Sequence, residues 1–406
     1  MPGRSVLTTM LFSWTSFSLL SIVWPLFTYS LSFSENGNSL IGGLGFGLFD
    51  SQNRVAPGSA IPEHAYCAFQ LAFACVTAAV VSGSIAGRIT VASWAVFQTF
   101  WHLLCYVPLA RWVFYPKGWL AQFGVLDFAG GLVVEFNSGL SGIVLALLVS
   151  RSEAKAELDK EDGVGVDEAL IPGGKPPSPH GSTPHSIPLV VLGAGLLHFG
   201  WLGFNAGSAA SSGFEASRAL LNTHIAAASG ILGFVTSEVL WGGKGSSLLS
   251  PATWGHGKMT AIGAATGTVC GLVAITPACG YIAPMSALGL GFVASLVASL
   301  AESLIKHATG GIDVLNVFAG HGIPGLIGTL ATGILARKAE GAPVDASVQL
   351  FGAQALGALV TFGVAVLGTS ISWGITLALF KILKWPVLAK SKIIEDEEQW
   401  EGFSIS

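Results

Sequence analysis

Ten stretches of this chain are long and apolar enough to cross a lipid bilayer. They lie at about 6–32, 62–87, 91–114, 128–150, 187–210, 219–241, 260–281, 284–305, 314–336 and 348–383. A helical span needs roughly 20 such residues. Water is absent from the hydrocarbon core, so the backbone must satisfy its own polar groups there. That leaves helices or a closed barrel. The runs are continuous rather than alternating, which predicts helices: an all-α polytopic membrane protein. The stretch from 260 to 305 is too long for one helix, and Pro277, Gly280 and Pro284 divide it. The last run exceeds what a bilayer requires, so it must tilt, kink or emerge. The first run does not read as a secretory signal. One Arg4 leads it, its apolar part is long, and no A-x-A site follows.

Charge explains what fills the gaps between the spans. Charged residues make up 10% of the chain, against roughly 25% in soluble domains. Mean hydropathy is +0.66. Disorder requires the opposite balance. A net charge of -4 gives no basic surface for nucleic acid. Cys67, Cys75, Cys105, Cys270 and Cys279 sit in apolar runs with no CxxC pair, so no metal site or disulfide framework is expected. No cofactor is expected either. Lys and Arg favour the cytoplasmic side. With a cytoplasmic N-terminus they split 13 inside to 6 outside, and ten spans return the C-terminus to the same side. The chain then divides into four parts. Residues 1–150 form a first half-bundle. Residues 151–186, charged and then rich in Pro, Gly and Ser, form a flexible cytoplasmic linker. Residues 187–383 form a second half-bundle that ends in the long helix. Residues 384–406 form a cytoplasmic tail, whose acidic run Glu395–Glu398 reads most simply as solvated.

Inside this nearly neutral bundle one pattern occurs twice. Asp127, Glu135, Gly139, Gly142 and Arg151 match Asp313, His321, Gly325, Gly328 and Arg337 at every spacing: D-x7-[E/H]-x3-G-x2-G-x8-R. The copies fall on the fourth and ninth spans. Five spans apart means opposite directions, which is the mark of two inverted repeats with a path near the midplane between them. Glu135 and His321 then lie at similar depth on antiparallel helices, each heading a stripe of two glycines that permits close approach. A carboxylate deep inside a span costs several kcal/mol unless paired, so Glu135 is a functional candidate. The plain alternative is a structural Glu–His or Glu–backbone contact. His102, His198 and His224 also lie in spans and read as packing histidines. Gly139-Leu140-Ser141-Gly142 matches the GxSG of intramembrane serine proteases. Both glycines belong to the repeat, however, and Ile327 replaces Ser141 in the second copy, so no enzyme is expected.

The segment from Asp127 to Gly139, DFAGGLVVEFNSG, resembles the DFAGG-x-VVH-x-x-x-G signature of the ammonium transporter family (Amt/Mep/Rh). FQLAFACVT from Phe69, FGWLGFNAGSA from Phe199, GLVAITPACGY at 271–281, NVFAGHGIPGLIG from Asn316 and YSLSF from Tyr29 agree with it too. The resemblance is closer to the Amt/Mep branch than to Rh-type gas channels. It implies a homotrimer of pores in the plasma membrane that takes up nitrogen as ammonium or ammonia, with methylammonium as an analogue. By the same resemblance Phe69, Phe114 and Ser208 would form an outer cation site. Asp127 beneath it would support the geometry and the positive charge. Phe73 and Phe204 would gate the pore, Glu135 and His321 would be the central pair, and Thr276 would stand in the pore region.

Three departures from the family pattern stand out. Phe114 replaces the usual cage Trp, and a Phe face attracts cations less strongly. Glu135 replaces the first of two central His. Free Glu titrates near about 4.3 and free His near about 6.5, so proton handling should differ. The family commonly has eleven spans, and this chain starts at what resembles their second. Its first helix would then be missing, and residues 187–210 would lack their repeat mate. The implied mechanism recruits NH4+ at the cage, deprotonates it, and passes NH3 and the proton separately for net electrogenic uptake. Two other readings use the same fold: an ammonium sensor that docks a regulatory partner at the linker or tail, or a truncated subunit that only assembles with longer chains.

Overall fold

A computed structural model describes residues 6–45, 54–56, 58–161, 186–242 and 257–389. The expected linker at 151–186 begins as helix instead: residues 151–161 continue a helix that runs Asn137–Glu161, because Ala, Glu, Lys and Leu there are good helix formers. Residues 162–185 and those from 390 onward lie outside the described residues. Ten long helices follow one another among the described residues: α1 Val6–Phe33, α2 Glu63–Ile85, α3 (91–114), α4 Gly131–Ala156, α5 Ile187–Gly207, α6 Phe214–Trp241, α7 Ala261–Ile275, α8 Pro284–Thr309, α9 Phe318–Leu335 and α10 Val348–Leu383. Among the described residues there is no strand, only three isolated bridges. Eight of the helices are long and apolar enough to cross a membrane. The other two expected spans are also helical. α3 runs through a π-helical turn at His102–Tyr106, and α7 is a shorter apolar helix.

Sequence chemistry explains several helix ends. Thr90, Ser186, Thr260 and Ser347 each accept the backbone N–H three residues on, as N-caps do. The expected span at 260–281 is helical only to Ile275. Pro277 donates no N–H, and its carbonyl instead accepts the Phe128 N–H at 3.1 Å. The expected spans at 128 and 314 start three and four residues later than their apolar runs. In each case an aspartate takes the first N–H groups of the helix, as described below. α10 stays straight-chain α-helix for 36 residues, or about 54 Å at 1.5 Å per residue.

The repeat is visible in the backbone itself. Gly130 (φ 111°) and Asn316 (φ 55°) occupy matching places and both adopt left-handed backbone. Gly carries no Cβ to clash there, and Asn is among the few other residues that tolerate it. The Phe128 N–H bonds Pro277 O, and its counterpart, the Val314 N–H, bonds Ser84 O, both at 3.1 Å. A Cβ on Gly139 would overlap the Gly322 backbone, and one on Gly325 would crowd Glu135 Cβ. Rising numbers on α4 thus meet falling numbers on α9, so the two helices are antiparallel. The glycine stripes seat them backbone to backbone.

One buried core runs through α1–α4 and α10, and a second through the start of α4, α6, α7 and α8. Phe204 of α5 packs against both. α10 joins the two repeats through Gln354. Its amide accepts the Leu126 N–H at 2.8 Å and donates to Leu126 O at 2.7 Å and Thr329 O at 3.0 Å. Gln354→Leu strands these backbone groups in an apolar interior. It is expected to lower stability by about 2–4 kcal/mol, seen as a lower Tm of the detergent-solubilised protein.

The positive charges counted above are not all solvated. Arg111 is buried and donates to the carbonyls of Ser32, Ser34 and Asn38, closing the end of α1. Arg88 pairs with Glu153 at 2.7 Å and donates to Ile312 O at 2.8 Å. Beside it the chain after α10 docks on the α2–α3 loop. The Thr90 N–H bonds Val387 O, and the Ala389 N–H bonds Arg88 O, both at 3.1 Å.

Candidate functional site

Glu135 and His321 meet. Glu135 Oε2 lies 2.7 Å from His321 Nδ1. Both residues sit in π-helical turns, Gly131–Phe136 and Phe318–Gly322. Such turns widen a helix locally and are frequent at functional sites. An ionised carboxylate has no proton to give, so beside one Nδ1 is the donor. The Glu135 side chain is 2% exposed and the His321 side chain 17%, so the imidazole is the member that a small solute can reach.

The two aspartates of the repeat play matching parts. Asp127 Oδ1 accepts from the N–H groups of Gly130 (2.9 Å) and Gly131 (2.6 Å), and Oδ2 from Leu132 (2.9 Å) and Val133 (3.3 Å). Asp313 accepts from Val317 (3.0 Å) and Phe318 (2.9 Å), the equivalents of Gly131 and Leu132. Each carboxylate satisfies donors that a helix start leaves unpaired, and its charge suits the positive end of the helix dipole. Burial pushes the Asp127 carboxyl up to about 6, against the pull of those four N–H groups. Asp313 is raised by burial as well.

Four phenylalanines gather on one side of this pair. Phe73 and Phe204 stack with ring centroids 4.1 Å apart and planes 17° apart. Phe69 lies 4.8 Å from Phe73, and Phe114 stands edge-on to Phe73 at 6.3 Å. Gly207 leaves room for the Phe69 ring, which a Cβ there would crowd. Ser208, the C-cap of α5, donates its hydroxyl to Phe204 O at 2.9 Å, keeping its lone pairs as acceptors. The Phe114 ring reaches Gly130, in the turn that Asp127 holds. A half-exposed pair of aromatic faces beside a hydroxyl acceptor can attract a small cation.

Thr276 is linked to Phe204 through Trp201. Trp201 Nε1 donates to its hydroxyl at 2.9 Å, and that hydroxyl donates to Leu272 O at 2.8 Å. Trp201 also packs on Phe204, with centroids 5.3 Å apart. Reading the sequence missed Trp201, although it lies inside the FGWLGFNAGSA block. Asn205 extends the same network by donating to Thr223 at 2.9 Å.

Ser141 has no histidine beside it. It accepts from Trp101 Nε1 at 3.0 Å and donates to Asn137 at 3.4 Å, so the GxSG match is a helix-packing contact. His102 bonds Thr28 at 3.1 Å, and the His198 and His224 rings lie 5.1 Å apart, both away from the central pair. All five cysteines are free, and no metal-binding group of three occurs among the described residues.

A sequence profile of the Ammonium Transporter Family matches residues 2–398. The chain is 35% identical to a putative ammonium transporter of Methanothermobacter thermautotrophicus, covering 99% of this chain and 89% of that protein. It is 36% identical to an ammonium transporter of Bacillus subtilis over 82% of this chain and 73% of that one. The crystal structure of Saccharomyces cerevisiae Mep2 superposes with a TM-score of 0.72 at 29% identity, covering 88% of this chain and 77% of that one. Candida albicans Mep2 gives 0.75 at 27% identity, covering 95% and 82%.

Proposed function

The chain belongs to the ammonium transporter family and is a multi-pass membrane protein that transports ammonium, and from that premise we propose how its residues divide the work. Phe69, Phe114 and Ser208 recruit NH4+ by cation–π attraction and a hydroxyl acceptor. Asp127 holds the turn that presents Phe114 and adds a negative charge nearby. The Phe73–Phe204 plug opens transiently. A bare cation pays a large desolvation cost beyond it, so the proton leaves and NH3 continues through the apolar path past Thr276. The proton follows separately along Glu135 and His321, giving net electrogenic uptake. The observation that carries this reading is the 2.7 Å Glu135–His321 bond inside an otherwise apolar repeat interface.

Three chains assemble in the plasma membrane. The half-bundles 1–150 and 187–383 form each pore, and both termini, the 151–186 linker and the 384–406 tail lie in the cytoplasm. A regulatory partner binds the tail. Docking of residues 387–389 on the α2–α3 loop supports a common side for that loop and the tail.

The test is current and flux in a membrane holding the purified protein alone. Ammonium is expected to elicit inward current and uptake. Neither one appearing, while a longer relative in the same membrane gives both, overturns transport by this chain. Phe114→Trp probes the outer site. The stronger cation–π face is expected to lower the half-saturating ammonium concentration by about twofold to fivefold, a gain of about 0.5–1 kcal/mol. An unchanged concentration dependence removes Phe114 from recruitment.

A further inference from the structure

A second buried polar group lies away from the central pair, on α3. Gln98, His102 and Tyr106 rise at four-residue intervals, and all three are fully buried. His102 opens the π-helical turn and Tyr106 closes it. The walls are aromatic. The His102 and Tyr106 rings stack at 5.3 Å, and Trp24 of α1 stands edge-on to both, at 5.8 and 6.0 Å.

The hydrogen bonds here do not close. His102 Nε2 meets Thr28 Oγ1 at 3.1 Å. The Thr28 hydroxyl gives its own proton to Val23 O at 3.4 Å, so it accepts from Nε2–H. In the neutral ring Nδ1 is then a bare acceptor. Nothing among the described residues reaches that atom, nor Oε1 or Nε2 of Gln98, nor the Tyr106 hydroxyl. In hydrocarbon each unsatisfied polar group costs several kcal/mol. Four such atoms along one helix face are too costly to leave dry.

We infer that α3 encloses an internal water site between Gln98 and His102, separate from the Glu135–His321 path. One water donates one proton to His102 Nδ1 and the other to Gln98 Oε1, and further waters accept from the Gln98 Nε2–H2 group and serve the Tyr106 hydroxyl. Buried waters normally hold two to four such bonds, and a polar site of this kind retains them. The role is structural: the waters stiffen the π-helical turn of the helix that ends in Phe114.

The test is a density map of the full chain at high resolution in ammonium-free buffer. A peak within hydrogen-bond reach of both His102 Nδ1 and the Gln98 amide is expected, and it should vanish in His102→Phe. An empty site overturns the inference. So does a Gln98 amide turned to donate directly to Nδ1, or a peak that appears only when ammonium is added. Thermal unfolding gives an independent readout. Gln98→Leu removes the water's anchor and leaves Nδ1 unpaired, so Tm is expected to fall by about 2 °C or more. A rise in Tm would mean that the amide sat dry, and would also overturn the site.

Discussion

Replacing Glu135 by alanine is expected to cut ammonium-driven current by about tenfold to a hundredfold. The lost interaction is a charge-assisted bond of about 1.5–3 kcal/mol, and each 1.4 kcal/mol is a factor of ten in rate. The bond is short, at 2.7 Å, and its carboxylate is shielded. Without the carboxylate, His321 loses the partner that orients its ring and fixes its tautomer. Glu135→Gln separates geometry from charge. It keeps an acceptor for Nδ1–H but has no titratable proton, so current should stay low although the fold is intact. Glu135→His restores a titratable group and is expected to conduct. Free imidazole titrates above free carboxyl, so its acid limb should move toward neutral pH. Parent-level flux and an unchanged pH profile in Glu135→Ala would exclude this pair from the transport step.

The helices were legible from hydrophobic length alone, because a bilayer demands continuous apolar runs and the chain supplies them. The repeat was legible as well, since equal spacings of Asp, Gly and an ionisable residue survive the inversion. What spacing could not reveal was how the copies lock together. Gly130 and Asn316 share a left-handed backbone, yet they differ in the sequence. The reciprocal bonds from Phe128 to Pro277 and from Val314 to Ser84 join residues with no common pattern. Helix ends were also misjudged where aspartate overrides hydropathy. Residues 128–130 and 314–317 are apolar enough to extend a span, but Asp127 and Asp313 turn the chain before the helix begins. Trp201 escaped notice because nothing in an apolar run distinguishes a packing indole from one that holds Thr276. Arg111 entered the sequence reading only as one of the six positive charges on the outer side, because sequence alone cannot show the carbonyls that bury it.

The caps give the sharpest contrast between the two halves. Asp127 serves four backbone N–H groups and Asp313 serves two. Asp127→Ala therefore leaves four buried donors unpaired, at about 1–3 kcal/mol each. That total is comparable to the 5–15 kcal/mol that separates most folded proteins from unfolded ones. No folded species is expected for Asp127→Ala on size-exclusion of the detergent-solubilised chain. Asp313→Ala strands two donors and should fold with a lowered Tm. Asp127→Asn keeps one accepting oxygen but turns an amide N–H2 toward two donors, so it should fall between them. The ordering matters more than any single value, because it follows from the number of N–H groups each carboxylate holds. If Asp127→Ala and Asp313→Ala lose equal stability, N–H satisfaction is not what these aspartates supply. Their charge would then have to act on something other than the helix starts, and for Asp127 the candidate is the cation proposed to bind beside Phe114.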